Sequence, residues 1–561
     1  MRHAPILSLI APAFALFLLS EVPPVSADTL TGPDAGLLGH WRLAGDGKDN
    51  SGNGNDGIAK GVAFDASGPG GQTNVARFDG RGAVITVPDG PGLRLGTDDF
   101  TVSVWLQTQE SLDDVVGDIL GKFDPVTRRG LNLCVKHHAG MTSSASNYRN
   151  VEFGLDAGTE PEWADCGRPG EAVFICSMAV HEGSLYVGTY EFGADRGGRV
   201  YRYDADGQWV DCGSPDGANS VMSMAVYDGR LMVGTACYRA KGSALENSPN
   251  ATPGGHVYEY AGGSQWQDRG RLADANDVYG MAVYKGELYA IPMYSPGVFR
   301  LEGQDTWVPC GVPGEQRSMS LAVWNGDLYV TGNGSAGVLR YLGGSDWGHC
   351  GNQERENQVY ALAAYGGDLH VGSWPSGKAW RYAGGKDWVD CGRLGEEKEV
   401  MAMGVYNGKL YCGTLPLGQV YRYEADGDWT MLRQIDTTPE VLYRRVWTMA
   451  QYDGQLFAGT LPSGHVWRMR TGQVATMDRE LPAGRHHLAA VRQGGQVRLY
   501  LDGRLAAEAG DPAAAALDLT SAVPLTIGAG MHDTFCGCLH DLRLYGRELT
   551  EEQIGELAGG R

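Results

Sequence analysis

The densest run of oxygen donors in the chain is Asp49-Asn50-Ser51-Gly52-Asn53-Gly54-Asn55-Asp56-Gly57. A calcium ion takes six to eight oxygens at roughly 2.4 Å, and glycines between carboxylates and amides let one loop wrap around it. Asp49, Asn53 and Asp56 are candidate ligands on that reading. The same residue types also close turns by bonding to their own backbone, with no ion present. A second set of candidates is aromatic. Tyr190, Tyr238, Tyr294 and Trp374 each stand just after a strand-like run of the LYVGT type. Exposed rings there would stack on sugar faces, while rings turned inward would pack against neighbouring loops. Acidic residues (Glu171, Asp216, Asp274, Asp277, Glu315, Glu354, Glu396) recur in another set of loops. Two carboxylates at roughly 5 to 9 Å would suit a glycosidase. The sequence holds no Gly-x-Ser-x-Gly elbow, no His-Glu-x-x-His pair and no phosphate loop, so no catalytic residue is assigned.

These residues are carried by a repeat. Between Trp163 and Arg468 one phrase returns seven times, as in SMAVYDGRLMVGT, GHVYEY and SQWQDRG. A period of about 40 residues in short alternating strands specifies a β-propeller. Each copy supplies four strands: a small-residue run with Met or Val, an LYVGT run, a VYRY run and a Trp run. The first is innermost, because blades crowd toward the axis, and tight turns at Gly183, Gly229, Gly286 and Gly326 join it to the second. The order resembles kelch-type propellers, with Gly-Thr in place of their glycine doublet.

The last copy has no Trp strand after it, and Trp163 stands before the first inner strand. The strand at 163–167 is therefore expected to complete the seventh blade, which removes two unpaired sheet edges. Loops joining second to third and fourth to first strands emerge on one face. That face also carries the insertions Tyr190–Arg199 and Ala236–His256, which makes it the expected binding surface. The recurrent Met178, Met224, Met281, Met403 and Met449 read as packing between blades. Cys166, Cys212, Cys310, Cys350 and Cys391, each three residues after a Trp, lie too far apart around a ring to pair and read as buried thiols.

Both flanks carry a second pattern: GLLGHWRL, DNSGNGNDG and FTVSVWLQTQ before the repeat, and LPAGRHHLAAVRQGGQVRLYLDGRL, LTIGAG and HDLRLYGRELTEEQI after it. They resemble the laminin G-like, concanavalin A-type jelly roll in its pentraxin-related form. The implied fold class is all-β: a discontinuous jelly-roll sandwich, residues 36–157 plus 473–560, holding an inserted seven-bladed propeller at 158–472. The resemblance also implies calcium in the Asp49 loop, with a late-strand carboxylate matching Asp541 as a further ligand.

Residues 1–27 read as a secretory leader: Arg2 and His3, an apolar stretch from Pro5 to Leu19, and Val25-Ser26-Ala27 before Asp28. A formal charge of −21 without a basic run argues against nucleic acid. The expectation is a secreted or extracytoplasmic recognition protein with no transmembrane span in its mature chain, binding extracellular polysaccharide or glycoprotein. The alternative is a polysaccharide-active hydrolase or lyase using the propeller face, with the jelly roll as its carbohydrate-binding module.

Overall fold

The structure, a computed structural model, describes Met1 and residues 34–559 apart from 69–71, 109–116, 137–148, 244, 335–336 and 354–355. The expected leader lies outside the described residues except for Met1, as does Glu354. Seven antiparallel four-stranded ladders make a propeller. Their inner strands are Ala172–His181, Ser220–Tyr227, Gly280–Tyr284, Arg317–Trp324, Gln358–Tyr365, Glu399–Tyr406 and Arg445–Tyr452, which begin blades one to seven. Blade seven runs outward through Gln455–Leu461 and Val466–Arg470, and its outermost strand is Glu162–Asp165 from the start of the array, with Trp163 opposite Met469.

Two repeated devices hold this ring. Each inner strand turns into the next through a residue followed by glycine, such as Glu182-Gly183, Asp228-Gly229, Asn407-Gly408 and Asp453-Gly454, all with positive φ at both positions. This is the type I′ geometry whose twist matches that of the flanking strands. On the outside, the tryptophan of each of blades one to six hooks the blade before it. The indole N–H groups of Trp209, Trp266, Trp347, Trp388 and Trp429 donate to the carbonyls of Cys166, Cys212, Cys310, Cys350 and Cys391 at 2.8–2.9 Å. Trp307 donates to Arg269, which holds the same place in blade two. The five thiols are free and buried. Since Cys166 belongs to the closing strand, Trp209 latches blade one onto blade seven.

The sandwich is interleaved from both flanks. Phe100–Thr108 lies between Gly484–Gln493 and Cys536–Tyr545 in one sheet. In the other, Leu525–Ile527 separates Val84–Val87 from Asp118–Asp124, and Gln473–Thr476 pairs with Asn150–Ala157. Alternation sends Ile119, Leu131, Leu133, Val135, Val151, Phe153 and Leu155 into one apolar core with Trp41, Phe78 and Phe100. The intervening residues face the other way, and there the pattern departs from that of an ordinary two-layer fold. Asn132, Cys134, Lys136, Asn150, Glu152 and Asp156 are polar or thiol-bearing yet buried, because the propeller's turns sit on them.

The Asn407 side chain donates from Nδ2 to Leu155 O and Thr471 O at 3.1 Å, and its backbone N–H faces Glu152 Oε1 at 3.3 Å. Lys136 Nζ bridges Glu152 Oε2, at 2.6 Å, to the Val405 carbonyl. Gly454 N–H donates to Thr476 Oγ1, and Asp453 N–H to Asp478 Oδ2, both at 2.8 Å. Removing one partner of the buried Lys136–Glu152 ion pair costs roughly 3–5 kcal/mol, and each neutral group left without its partner roughly 1–3 kcal/mol, so the surface favours docking in this register.

Gly454 and Gly229 occupy the same turn position in two blades, with φ of +63° and +68°. A Cβ on Gly454 would stand 2.0 Å from Val474 O, whereas one on Gly229 meets nothing within 4 Å. Gly229→Ala is expected to cost the left-handed strain alone, about 1–2 kcal/mol. Gly454→Ala should cost a further ~1–3 kcal/mol for overpacking the docked face. Denaturant midpoints of the two variants at unchanged slope check the difference; equal losses would mean that the turn face does not bear on the sandwich.

Candidate functional site: the axial mouth of the propeller

At or near the start of every inner strand a hydrophobic or small residue is followed by a middle residue, large in every blade but the first, and then by a small residue, as in Val221-Met222-Ser223 and Val446-Trp447-Thr448. In six blades that middle residue falls at a register shift in the pairing with the second strand. A bulge re-aims a side chain, and the consequence here is a plug. Cys176, Met222, Tyr279, Met319, Tyr360, Met401 and Trp447, one from each blade, gather in a single cluster with Phe174, Tyr190 and Tyr238. A cluster fed by all seven blades can lie only on the axis.

Two residues before each plug side chain is a second layer: Phe174, Ser220, Asp277, Arg317, Gln358, Glu399 and Arg445. This layer lies on the side away from the sandwich, where the chain enters each inner strand. It places two carboxylates and two guanidinium groups over an aromatic and thioether floor. Glu399 is buried; burial lifts its carboxyl to about 7 against the pull of Arg445 and a hydrogen bond with Tyr360. Burial likewise holds Asp277 up to about 6, although its Oδ2 accepts from Met293 N–H at 2.6 Å. Glu399 Oε1, Asp277 Oδ1, and Arg445 Nε and Nη1 are buried and reach no protein partner. Arg445 lies over the rings of Tyr443 and Trp447, with its guanidinium carbon 5.4 and 5.9 Å from their centroids. Such atoms are costly to leave dry, so a ligand or water with complementary polarity is favoured at this mouth.

The aromatic candidates need correction. Tyr190 and Tyr238 are only 1% and 5% exposed, so they are not rings open to a sugar. Their ring centroids are 5.5 Å apart and Tyr238 sits 5.4 Å from Phe174, inside the plug. The cause is the two insertions, which fold back over the axis instead of standing out. Tyr190 Oη accepts from Ser248 N–H at 3.0 Å, and Asn250 Nδ2 donates to Arg196 O and Gly217 O at 2.6 and 2.9 Å. Tyr294 and Trp374 are half-buried. Tyr294 lies under the Arg239 guanidinium, 4.5 Å from its centroid, and accepts the Arg239 N–H. Asp277 was among the acidic loop residues, but Arg317, Gln358, Glu399 and Arg445 were not singled out. Their types differ from blade to blade, so only their constant offset from the plug residue could have revealed them.

The calcium set also needs correction at Asp541. Its Oδ1 takes His40 Nε2 at 2.7 Å and Arg543 Nε at 3.1 Å, and Oδ2 takes Arg543 Nη2 at 3.1 Å. A guanidinium on a carboxylate occupies the positions that a divalent cation would need. Asp49 Oδ1 accepts the N–H groups of His40 and Ser51, and Oδ2 accepts Ser51 Oγ–H and Asn55 N–H. Asp56 Oδ1 accepts Asp49 N–H, and Asn53 Nδ2 donates to Leu37 O. The loop is a self-capped Asx network that pins the first strand, and these four residues as arranged do not fit a calcium ion.

Residues 429–555 match the family model described as the concanavalin A-like lectin/glucanases superfamily, a span well under half of the chain. No curated protein sequence matches. Among solved structures, a streptogramin B lyase is 11% identical with a TM-score of 0.45, covering 56% of this chain and 98% of its own. The virginiamycin B lyase of Staphylococcus aureus is 11% identical with a TM-score of 0.44, over 55% and 99%. The WD40 propeller domain of Doa1 is 13% identical with a TM-score of 0.37, over 55% and 97%.

Burial works to raise the Asp541 carboxyl, but the hydrogen bonds of His40 and Arg543 outweigh it and hold it well below its ordinary value. A depressed folded-state value contributes stability above the unfolded value of about 3.9, and that contribution is lost as pH falls through the folded one. Asp541→Asn should therefore be less stable than the parent at neutral pH, with the gap closing below about pH 4. Calcium added to the chelator-treated parent should leave its thermal midpoint unchanged. A midpoint that calcium raises, and that it no longer raises in Asp49→Asn, would restore the ion to this loop.

Proposed function

We propose that the chain is a secreted recognition protein whose propeller mouth binds an acidic extracellular carbohydrate, with the jelly roll as its mount. Residues 1–27 are the proposed leader, and the propeller, taken as kelch-like and spanning 158–472, is the ligand-bearing insert. Among the described residues no helix is long and apolar enough to cross a membrane.

The observation carrying the reading is the pair of tiers: buried polar atoms without partners on Arg445, Glu399 and Asp277, directly above a floor of aromatic and methionine side chains. A uronate-bearing sugar offers both halves of the complement, a carboxylate for Arg445 and Arg317 and an apolar ring face for the floor. Guanidinium groups suit carboxylates because their fork of donors matches two oxygens. Tyr294 and Trp374 flank the mouth as further contacts, and a glycoprotein bearing such sugars is an equivalent partner.

One observation favours the alternative of a polysaccharide lyase or hydrolase. A carboxyl held up to about 7 beside a tyrosine hydroxyl and a guanidinium is a set suited to proton transfer. In that reading Glu399 takes or gives the proton, and Arg445 neutralises the substrate carboxylate.

Binding of uronate-containing polysaccharides, measured by calorimetry, should weaken at least tenfold in Arg445→Met and strengthen in the parent as pH falls through about 7, where Glu399 becomes neutral. Glu399→Gln should remove the part of that pH dependence centred near 7 while retaining affinity, leaving the part near 6 that belongs to Asp277. Unchanged affinity in Arg445→Met would sink the assignment of the mouth. Turnover with release of unsaturated or reducing ends, lost in Glu399→Gln, would establish the enzyme reading instead.

A further inference from the structure

Beneath the propeller, on the outward face of the seven-stranded sheet, three neighbouring strands place Asp118, Cys134 and Glu152 in one row. Asp118 is opposite Cys134, and Cys134 is opposite Glu152. The loop before Cys536–Tyr545 lays His532 over that row. Asp118, Cys134 and Glu152 are fully buried and His532 nearly so. From this juxtaposition we infer that Asp118, Cys134 and His532 form a zinc site that clips the two halves of the jelly roll together beneath the propeller.

Carboxylate, thiolate and imidazole are the donor types that tetrahedral zinc takes, with bonds of roughly 2.0–2.2 Å to N or O and about 2.3 Å to S. Ligand atoms around such an ion stand roughly 3.3 Å apart for N and O, and roughly 3.6 Å apart where one is sulfur. His532 Nδ1 and Asp118 Oδ1 are already 3.1 Å apart. One ligand atom from each of Asp118, Cys134 and His532 lies within 4.8 Å of the others, so closing on an ion needs movements near 1 Å. Among the described residues it is the one His, Cys, Asp and Glu cluster that meets this spacing.

The surroundings are those of a site that is already supported. Asp118 Oδ2 accepts the backbone N–H groups of His532 and Asp533 at 2.8 and 3.0 Å, which fixes the carboxylate with Oδ1 toward the imidazole. The far nitrogen, His532 Nε2, faces Glu152 Oε1 at 3.3 Å. A carboxylate on the second ring nitrogen fixes the tautomer that leaves Nδ1 free to ligate. Glu152 is in turn held by Lys136, 2.6 Å from its Oε2, so it serves the imidazole instead of joining the ion. Binding would release the Cys134 thiol proton and the proton on Nδ1 to solvent, and three protein ligands leave one position for water.

Two turns of the propeller seal the cluster. Gly408 N–H lies 3.5 Å from His532 Nε2, and Gly366 N–H donates to Met531 O at 2.8 Å. The ion must therefore enter before docking is complete, which couples its binding to assembly of the two domains. Without an ion the same residues make an imidazole bridge between two carboxylates over a thiol, and the experiment separates these states.

The full chain should be unfolded with chelator present, then refolded with zinc or cobalt(II), and its metal content measured after desalting. The expected result is one equivalent per chain, a near-ultraviolet thiolate-to-cobalt charge-transfer band, and a thermal midpoint higher than that of chain refolded without metal. Cys134→Ser should remove the band, Asp118→Asn should lose the retained equivalent, and Glu152→Gln should weaken retention about tenfold or more. A retained equivalent with no thiolate band, a band that persists in Cys134→Ser, or no retained metal in the parent overturns the site and leaves the imidazole bridge. Should Cys134→Ser fail to refold, the parent's cobalt spectrum and metal content still decide, because they need no variant.

Discussion

Everything in this chain depends on one short pairing, Glu162–Asp165 against Val466–Arg470. It joins the first strand of the propeller to the last, so about 300 intervening residues leave and return at adjacent positions. Only then can Asn150–Ala157 meet Gln473–Thr476, the pairing by which the interrupted sandwich regains its continuity. Loop-closure entropy grows only slowly with loop length, and a closed ring reduces the cost further by holding its own ends together. The Trp209 to Cys166 hydrogen bond and the Arg468 pair with Asp206, at 2.7 Å, reinforce that seam from the neighbouring blade.

The seam also decides which face of the propeller is available. Because both ends of the insert lie at blade seven, that blade and its neighbours must rest on the sheet from which the chain departs. The turns at Asn407-Gly408 and Asp453-Gly454 then cover the polar row of that sheet. The opposite mouth is left for chemistry, and the variation among the inner strands is concentrated there. Sevenfold repetition supplies the scaffold, while departures from it supply Asp277, Arg317, Glu399 and Arg445.

Much of the architecture was legible in the sequence, for a physical reason. Residues that do the same job in every blade must be alike, so the tryptophans, the cysteines after them and the small-residue strands recur at readable intervals. The plug residues do the same job with different side chains. Cys176, Met222, Tyr279 and Trp447 fill an irregular axial space together, and their common position is set by a backbone bulge that composition does not reveal. Tyr190 and Tyr238 were misplaced for a related reason: they follow the repeat in register, but the insertions carrying them turn inward. In the sandwich, alternation predicts which face Glu152 and Lys136 take, yet it cannot say that a second domain buries that face.

The burial of those polar residues bears on why the two domains meet in one arrangement. An apolar face would have associated with the propeller as strongly, but with little preference for register. Here each donor has an assigned acceptor: Asn407 for Leu155 and Thr471, Lys136 for Glu152, Gly454 for Thr476, Asp453 for Asp478. A rotation of the propeller by one blade would present Gly366 or Asp453 where Asn407 donates. Buried donors and acceptors would then lose their partners, at roughly 1–3 kcal/mol for each neutral group and more for each charged one. Polar burial therefore sets the register of docking, while the closing strand ensures that docking happens at all.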